Sequence, residues 1–292
     1  MSSALILGML ALFIVAAIGL PVAYSIIVGV LVYLGAGGQD LAIAGEMMVQ
    51  RLFDGFLLLA VPLFIVSANI MNAGAISDRL LKFCIALVGR FRGGMGHVNV
   101  VASLIFSGMS GSAVADAAGV GKLIIDMMVK SGKYTHGYAA AITAATATIG
   151  PIIPPSIPMV MYALVSNASI GYLFLAGVVP GLMMGAVLMA MNTFISHRRD
   201  FGKEDPVPMR KLPGITIQAT PALLMPVILL TAIYSGVTTP TEAAAIAAFY
   251  ALIVSIVIYR AMNVATLYQI FVESARSAAS VCLLYTSDAA DE

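Results

Sequence analysis

The sequence predicts an all-α, polytopic membrane protein, and three of its features carry that expectation. Of 292 residues, 61% are hydrophobic and only 10% are charged, with a mean hydropathy of +1.01. Soluble domains carry about 25% charged residues, so this chain lacks the polar side chains to cover a water-facing surface. Its apolar residues fall in runs near the ~20 residues that a spanning helix needs. Two of those runs are cut by Ser, Gly and Pro where a plain helix would have none. A free cytosolic or secreted domain is therefore excluded. The net charge is +1, from 15 Lys+Arg against 14 Asp+Glu, and without a basic stripe nucleic acid is not an expected partner. Cys84 and Cys282 make neither a disulfide framework nor a zinc site, and Cys84 reads as simple packing. With no basic n-region and no A-x-A cleavage site, the first apolar run reads as a retained membrane segment.

The elements follow in order. Residues 4–34 exceed one span, and Pro21 interrupts them. One long kinked helix and two short ones both fit. A Gly-rich, mildly acidic link follows at 35–46, then a span at 56–71. A basic stretch carries Arg79, Lys82, Arg90 and Arg92. Residues 98–128 are apolar but cut by Ser110-Gly111-Ser112, and Lys130 and Lys133 follow. Residues 138–165 are cut by Pro151, Pro154, Pro155 and Pro158, and 170–195 is a clear span. A polar loop holds Arg198, Arg199, Lys203, Arg210 and Lys211. Spans at 221–234 and 243–259 are joined by 236–242, and Arg260 ends the second. The positive-inside rule puts the basic stretches in the cytoplasm. The runs at 138–165 and 221–234 then go out, and those at 170–195 and 243–259 come back.

Residues 98–128 also start and end inside, as two crossings or as a re-entrant hairpin. The arms on either side of the Ser-Gly-Ser cut, only about 12–17 residues each, are short for crossings, which favours a hairpin whose tip stops near mid-membrane. Non-helical backbone at that depth is tolerated only where it is buried in protein or lines a cavity, so the tip is a candidate site. Ser107, Ser110 and Ser112 offer oxygens to a cation, and the helix after the tip offers N–H groups to an anion. The alternative for the serines is a seam of small residues. Asp116, an intramembrane carboxylate, is functional by default, with a structural cap as the alternative. Lys122 and Asp126, four apart, read as structural pairing.

The second interruption runs from Thr146 through Thr148, Gly150, Pro151, Pro154, Pro155 and Ser156 to Pro158. Each proline frees the carbonyl four residues back, which in a regular helix would be those of Ala147, Gly150, Pro151 and Pro154. Freed carbonyls at mid-membrane need a partner. A desolvated Na⁺ wants several neutral oxygens, which an unwound stretch with Thr and Ser hydroxyls can supply. Two broken elements in consecutive segments are the pattern of secondary transporters. An ordinary proline kink is the alternative.

These residues resemble a family. Ser110-Gly111-Ser112-Ala113 with Asp116 and Gly119, then Thr148-Ile149-Gly150-Pro151-Ile152-Ile153-Pro154-Pro155-Ser156, then Pro180-Gly181-Leu182-Met183, are similar to the large membrane subunit of TRAP (tripartite ATP-independent periplasmic) transporters. Leu59-Ala60-Val61-Pro62-Leu63-Phe64 and Arg92-Gly93-Gly94-Met95 extend the likeness, which covers about residues 4–282. The resemblance implies an inverted-repeat, elevator-type carrier of the bacterial cytoplasmic membrane, driven by a Na⁺ gradient and without an organic cofactor. It implies three kinds of partner beside membrane lipid: a small membrane subunit, a periplasmic solute-binding protein and a small organic acid such as a C4-dicarboxylate or sugar acid. Carried onto this chain, 110–112 and 150–156 would hold Na⁺ and face the substrate carboxylate, with Ser110, Ser112, Gly150, Ile153 and Pro154 as Na⁺ ligands. The chain would then divide into scaffold-type helices at 1–75, a transport-type region at 76–197, a cytoplasmic loop at 198–218 and a second repeat starting at 219–282.

The family has two halves, each with a hairpin and a broken helix, whereas this chain shows one of each. Gly19-Leu20-Pro21 is faintly echoed by Thr239-Pro240-Thr241-Glu242-Ala243. The second half then starts near 219 and reaches the equivalent of Leu63, so the second repeat is incomplete. Residues 277–284 read as the start of another membrane segment, and 285–292 turn abruptly polar. The expectation is a tail at 283–292 that is not native coding sequence, with a genuine polar end as the alternative. Met1 favours a separate small subunit.

Two other functions compete. Gly108-Met109-Ser110-Gly111 matches the G-x-S-G of rhomboid-type proteases, but His97, His136 and His197 lie near basic membrane edges and leave no buried base. Without H-E-x-x-H a metal enzyme is not expected, so the chain is not read as an enzyme. A channel could also use mid-membrane oxygens, although two different broken elements favour alternating access. Glu242 reads as a helix cap at the outer interface, with a subunit contact as the alternative.

Overall fold

The computed structural model describes all residues except 1–2, 55–58, 73–74, 167, 200, 204–206, 261 and 289–292. Among the described residues, regular structure is helical, apart from an isolated antiparallel bridge between Arg92 and Lys203. The open question at 4–34 resolves as two helices, α1 (Ser3–Ala17) and α2 (Val22–Ala36). Gly19 at φ 103° turns the chain between them. They pack face to face because glycines let the backbones meet: a Cβ on Gly8 would lie 2.9 Å from the Gly29 carbonyl oxygen. Each has 15 residues, or ~22 Å, short of a ~30 Å hydrocarbon layer.

The expected link at 35–46 is only partly a link. Helix α3 (Ala42–Asp54) starts inside it, its first amide capped by Asp40 Oδ1 at 2.9 Å. Of the span expected at 56–71, residues 56–58 lie outside the described residues. The rest is α4 (Ala60–Asn72), which meets α5 (Ala75–Val88) at a 69° bend. The basic stretch is therefore not all loop, since Arg79 and Lys82 belong to α5. That helix is amphipathic, with Leu80, Leu81, Cys84 and Val88 buried on one side, and the burial of that face holds the charged residues in helical register.

The run at 98–128 is a hairpin of longer arms. Helix α6 (Gly94–Ser110) forms the first. The second is α7 (Ala113–Asp116), a π-helical turn at Ala117–Gly121 and α8 (Lys122–Lys130) in sequence. The first arm begins before 98 because Gly94, Gly96 and His97 are buried in helix despite their low hydropathy. Lys122 and Asp126 are exposed one turn apart on α8. Helix α9 (His136–Ala147) and α10 (Ile157–Ser166) flank the proline break, and α11 (Ile170–Arg198) passes through Pro180 without stopping.

The loop expected at 198–218 ends earlier, in a 3₁₀ turn at Met209–Lys211. Helix α12 (Leu212–Tyr234) starts there, with proline in its first turn, where no N–H is required. Helix α13 (Pro240–Ile253) opens on a capping box. Thr239 Oγ1 accepts from Glu242 N–H at 3.3 Å, and Glu242 Oε2 accepts from Thr239 N–H at 2.7 Å, so Glu242 is a cap. A π turn at Val254–Ile258 ends that span. The last helix, α14 (Val264–Asp288), runs across the change of composition at 285; residues 289–292 of the expected tail lie outside the described residues.

Among the described residues, three helices are long and apolar enough to cross a membrane: α11, α12, and α13 with its π turn. The bent α4–α5 pair makes up to four. The core runs under α4, α5, α6, α9 and α12, with Phe64 and Phe174 tilted ring to ring at 6.5 Å. Helix α2 packs on α14, and α13 packs on α4. The basic stretches converge at one end: Gly93 N–H donates to Gly202 O at 3.3 Å, and Lys133 Nζ donates to Lys203 O at 2.9 Å.

Candidate functional site

The hairpin tip is built by one glycine. Gly111 ends α6 in the left-handed region at φ 61°, its N–H donating to Ser107 O at 3.3 Å. A side chain is costly in that conformation, and a Cβ there would also collide with the Pro155 carbonyl. Ser112 then caps the second arm through Ala115 N–H at 3.4 Å. The chain so reverses in two residues, with both arms capped.

This reversal seats Asp116 beneath the tip, 4% exposed. Ser110 Oγ donates to its Oδ1 at 2.5 Å, and Ser107 Oγ lies 3.5 Å from its Oδ2 while also reaching Ser103 O at 2.5 Å. A buried carboxylate without a countercharge is expensive. The two hydroxyls lower that cost and are themselves polarised, so their lone pairs become better acceptors. His97 is buried, contrary to the expectation of no buried base, but Ser110 gives its proton to a carboxylate and not to a histidine, which removes the geometry of a serine nucleophile.

The proline break lies directly against the tip. Ile157 N–H, the first donor of α10, reaches Gly111 O at 3.4 Å. A Cβ on Gly150 would fall 2.8 Å from Asp116 Oδ2 and 3.1 Å from Ala113 N, so only glycine lets the break sit over the carboxylate. The Pro154–Pro155 peptide is cis. Of the four carbonyls expected to be freed, two find donors. Ala147 O accepts from Gly150 N–H at 3.0 Å, and Pro151 O accepts from Ser156 Oγ at 2.5 Å. Ser156 Oγ also caps α10 through Met159 N–H at 3.2 Å. Among the described residues no hydrogen bond reaches the carbonyls of Gly150, Ile153 or Pro154.

Ser107, Ser110, Gly111, Ser112, Asp116, Gly150, Pro154, Pro155 and Ser156 are thus gathered at one junction, with Pro151 and Ile153 on the same unwound stretch. Two expected residues are not at the tip. Thr148 is exposed and bonded back to Ala145 O at 2.7 Å. Thr146 is buried, but its hydroxyl bonds to Asn99 Oδ1 at 3.1 Å. Asn99 is the residue that sequence reasoning missed. Fully buried on α6, it also donates to Thr143 Oγ1 at 2.7 Å and so ties the first arm to α9. Its signal was available: Asn99, Ser103, Ser107 and Ser110 recur at spacings of 4, 4 and 3, one face of a helix.

A second polar cluster fixes the far end of the hairpin. Asn192 on α11 accepts from the Tyr138 hydroxyl and donates to Gly93 O at 3.3 Å. Gly96 leaves Asn192 no room for any side chain on α6. Tyr134, Tyr138 and Phe201 stack beside it at 4.7–6.0 Å.

Comparison with known proteins places the chain in a family. Residues 9–290 match the family model described as tripartite ATP-independent periplasmic transporter, DctM component. The chain is 42% identical over 267 residues, 91% of its length, to the sialic acid TRAP transporter large permease protein SiaM of Vibrio cholerae. It is 40% identical over 93% of its length to the 2,3-diketo-L-gulonate TRAP transporter large permease protein YiaN of Escherichia coli. It is 37% identical over 84% of its length to a C4-dicarboxylate TRAP transporter large permease protein DctM of Vibrio cholerae. The chain spans 62%, 64% and 54% of these relatives, respectively. The relatives are permeases and not enzymes, and the chain belongs to the DctM family, the large permease component of TRAP transporters.

Proposed function

We propose that this chain supplies the first half-site of a Na⁺-coupled secondary transporter that imports small organic acids across the bacterial inner membrane. The observation that carries the reading is the junction of tip and break. Three carbonyls without donors, those of Gly150, Ile153 and Pro154, lie on the stretch that packs against a carboxylate whose hydroxyl partners are polarised. Neutral oxygens beside one buried negative charge are what a hard, desolvated monovalent cation takes as ligands. Ser110 and Ser112 complete the set, and a bound Na⁺ would offset the charge of Asp116. The substrate carboxylate would dock at the tip against this cation.

Reciprocal packing supports an inverted repeat. If residues from 219 onward repeat the first half, α13 corresponds to α2 and α14 to the region of α4. The pairings of α2 with α14 and of α13 with α4 are then the same contact made twice. In the elevator reading, the hairpin and the broken helix move together as one body. The partners are a small membrane subunit and a periplasmic binding protein that delivers the substrate. The printed substrates of the relatives, a sialic acid, a diketo sugar acid and C4-dicarboxylates, define the class to test.

The test is uptake into proteoliposomes by the complete permease with its small subunit and binding protein. Saturable uptake of one of these acids, driven by an inward Na⁺ gradient and absent with K⁺ alone, is expected. Unitary currents without saturation would point to a pore, and uptake indifferent to Na⁺ would remove the ion from the mechanism.

A further inference from the structure

The end of the molecule away from the tip holds a groove of about 540 Å³. Arg90, Arg92 and Lys203 form its rim, and His97 and His197 line it. Its wall is apolar: Phe91 is 46% exposed, and Met189 and Ala190 belong to α11. Among the described residues no carboxylate lines it. Above it, α11 continues as an exposed apolar face through Val187, Met183 and Val179.

Three facts narrow the ligand. Among the described residues the charged side chains of the rim are basic, which suits an anionic ligand. The wall and the adjoining helix face are apolar, so the ligand also carries hydrocarbon. The groove is made where the hairpin base, the end of α11 and the chain at Lys203 converge, through the Arg92–Lys203 bridge and the Gly93–Gly202 hydrogen bond. His97 adds donor capacity. It is 4% exposed, and its Nε2 lies 3.5 Å from Thr193 Oγ1. Basic pockets between membrane helices on the positively flanked side suit phosphate headgroups.

We propose that this groove binds the phosphate of an anionic phospholipid, with the acyl chains laid along α11. The guanidinium groups of Arg90 and Arg92 are the phosphate contacts, and Phe91 and Met189 take the glycerol end of the chains. Such a lipid would staple the base of the hairpin to α11 at a point remote from the transport site, and it stands apart from the reading of that site.

The experiment is native mass spectrometry of the full chain released from micelles containing phosphatidylglycerol and phosphatidylcholine in equal amounts. A retained phosphatidylglycerol adduct is expected, reduced at least about tenfold in the Arg90→Gln/Arg92→Gln double variant. It should be unchanged in Arg198→Gln/Arg199→Gln, which removes the same charge from outside the groove lining. Ala190→Trp fills the groove from the exposed side of α11 and should also abolish the adduct, which covers the case of a double variant that does not fold. A parallel arm offers inorganic phosphate in phosphatidylcholine micelles. Phosphate binding there, with displacement of phosphatidylglycerol, would identify a free anion as the ligand and overturn the lipid assignment. Equal adducts in wild type, the double variant and Ala190→Trp would overturn the site.

Discussion

Prolines interrupt two regions of this molecule with opposite results. In α12, Pro221 and Pro226 sit inside a helix that continues for 23 residues. Between α9 and α10, Pro151, Pro154 and Pro155 unwind the chain, and Pro158 follows in the first turn of α10. Part of the difference is number and part is neighbours. Beside α12, Tyr250 from α13 donates its hydroxyl to Pro221 O at 2.7 Å, and Tyr259 donates to Gln218 O at 2.7 Å. By their spacing these prolines free the carbonyls of Ile217 and Ala222; the tyrosines meet neighbouring carbonyls instead and tie α12 to α13 and its π turn, and the helix continues through both prolines. At the break, Ser156 and the turn amides meet only some of the carbonyls, and among the described residues those of Gly150, Ile153 and Pro154 have no donor, on a stretch that packs at Gly150 against Asp116. The two regions thus differ in how closely prolines crowd together and in whether a neighbouring helix ties the backbone in place.

This contrast can be broken or sharpened in four places. Gly150→Val should have the largest effect, since its side chain would occupy the space of Asp116 Oδ2. Overpacking of this kind costs about 1–3 kcal/mol, and displacement of the tip should lower Na⁺-driven uptake by about 100-fold. Near-normal uptake by this variant would show that the break and the tip need not touch.

Ser110→Ala comes next. It removes the 2.5 Å hydrogen bond to Asp116, a bond to a charged group worth about 1.5–3 kcal/mol. The Na⁺ concentration for half-maximal uptake should rise about tenfold or more while the protein stays folded. An unchanged Na⁺ dependence would take Ser110 out of the ion site.

Asn99→Leu tests the tie between the first arm and α9. Thr143 Oγ1 would lose its donor in a buried setting, a loss of about 1–3 kcal/mol. The thermal midpoint in detergent should fall, with Na⁺ affinity changing less than in Ser110→Ala. The reverse order of effects would make Asn99 part of the ion site. The smallest change is expected at Tyr250→Phe, which deletes the hydroxyl bonded to Pro221 O. Stability should drop by about 1 kcal/mol, and the Na⁺ dependence of uptake should be identical to wild type.

Much of the architecture was legible in the chain itself. Composition fixed the membrane class, because 10% charged residues cannot solvate a surface. The hairpin turn at Ser110-Gly111-Ser112 followed from the short apolar arms on either side of it and the basic residues at both ends, and the structure turns there, with Gly111 at a positive φ and Ser112 as a cap. The cap at Glu242 followed from its spacing to Thr239. These are short-range effects, settled within a few residues. Helix ends were less legible. Arg79 and Lys82 read as loop because charge outweighs one buried face in a hydropathy count, and α12 starts nine residues before the expected span because Leu212–Thr220 alternates polar and apolar side chains.

Only the tertiary structure decided which freed carbonyls stay free. Ala147, Gly150, Pro151 and Pro154 have equal claims in the sequence, yet local turn amides and Ser156 meet two of them. The donor for Pro221 O comes from 29 residues away, and the partner of Thr146 from 47. Packing alone set Gly150 over Asp116 and brought Arg92 to Lys203. A residue's own backbone preference acts within a turn or two, whereas the partner of a buried polar group is whichever atom the fold brings within 3.5 Å.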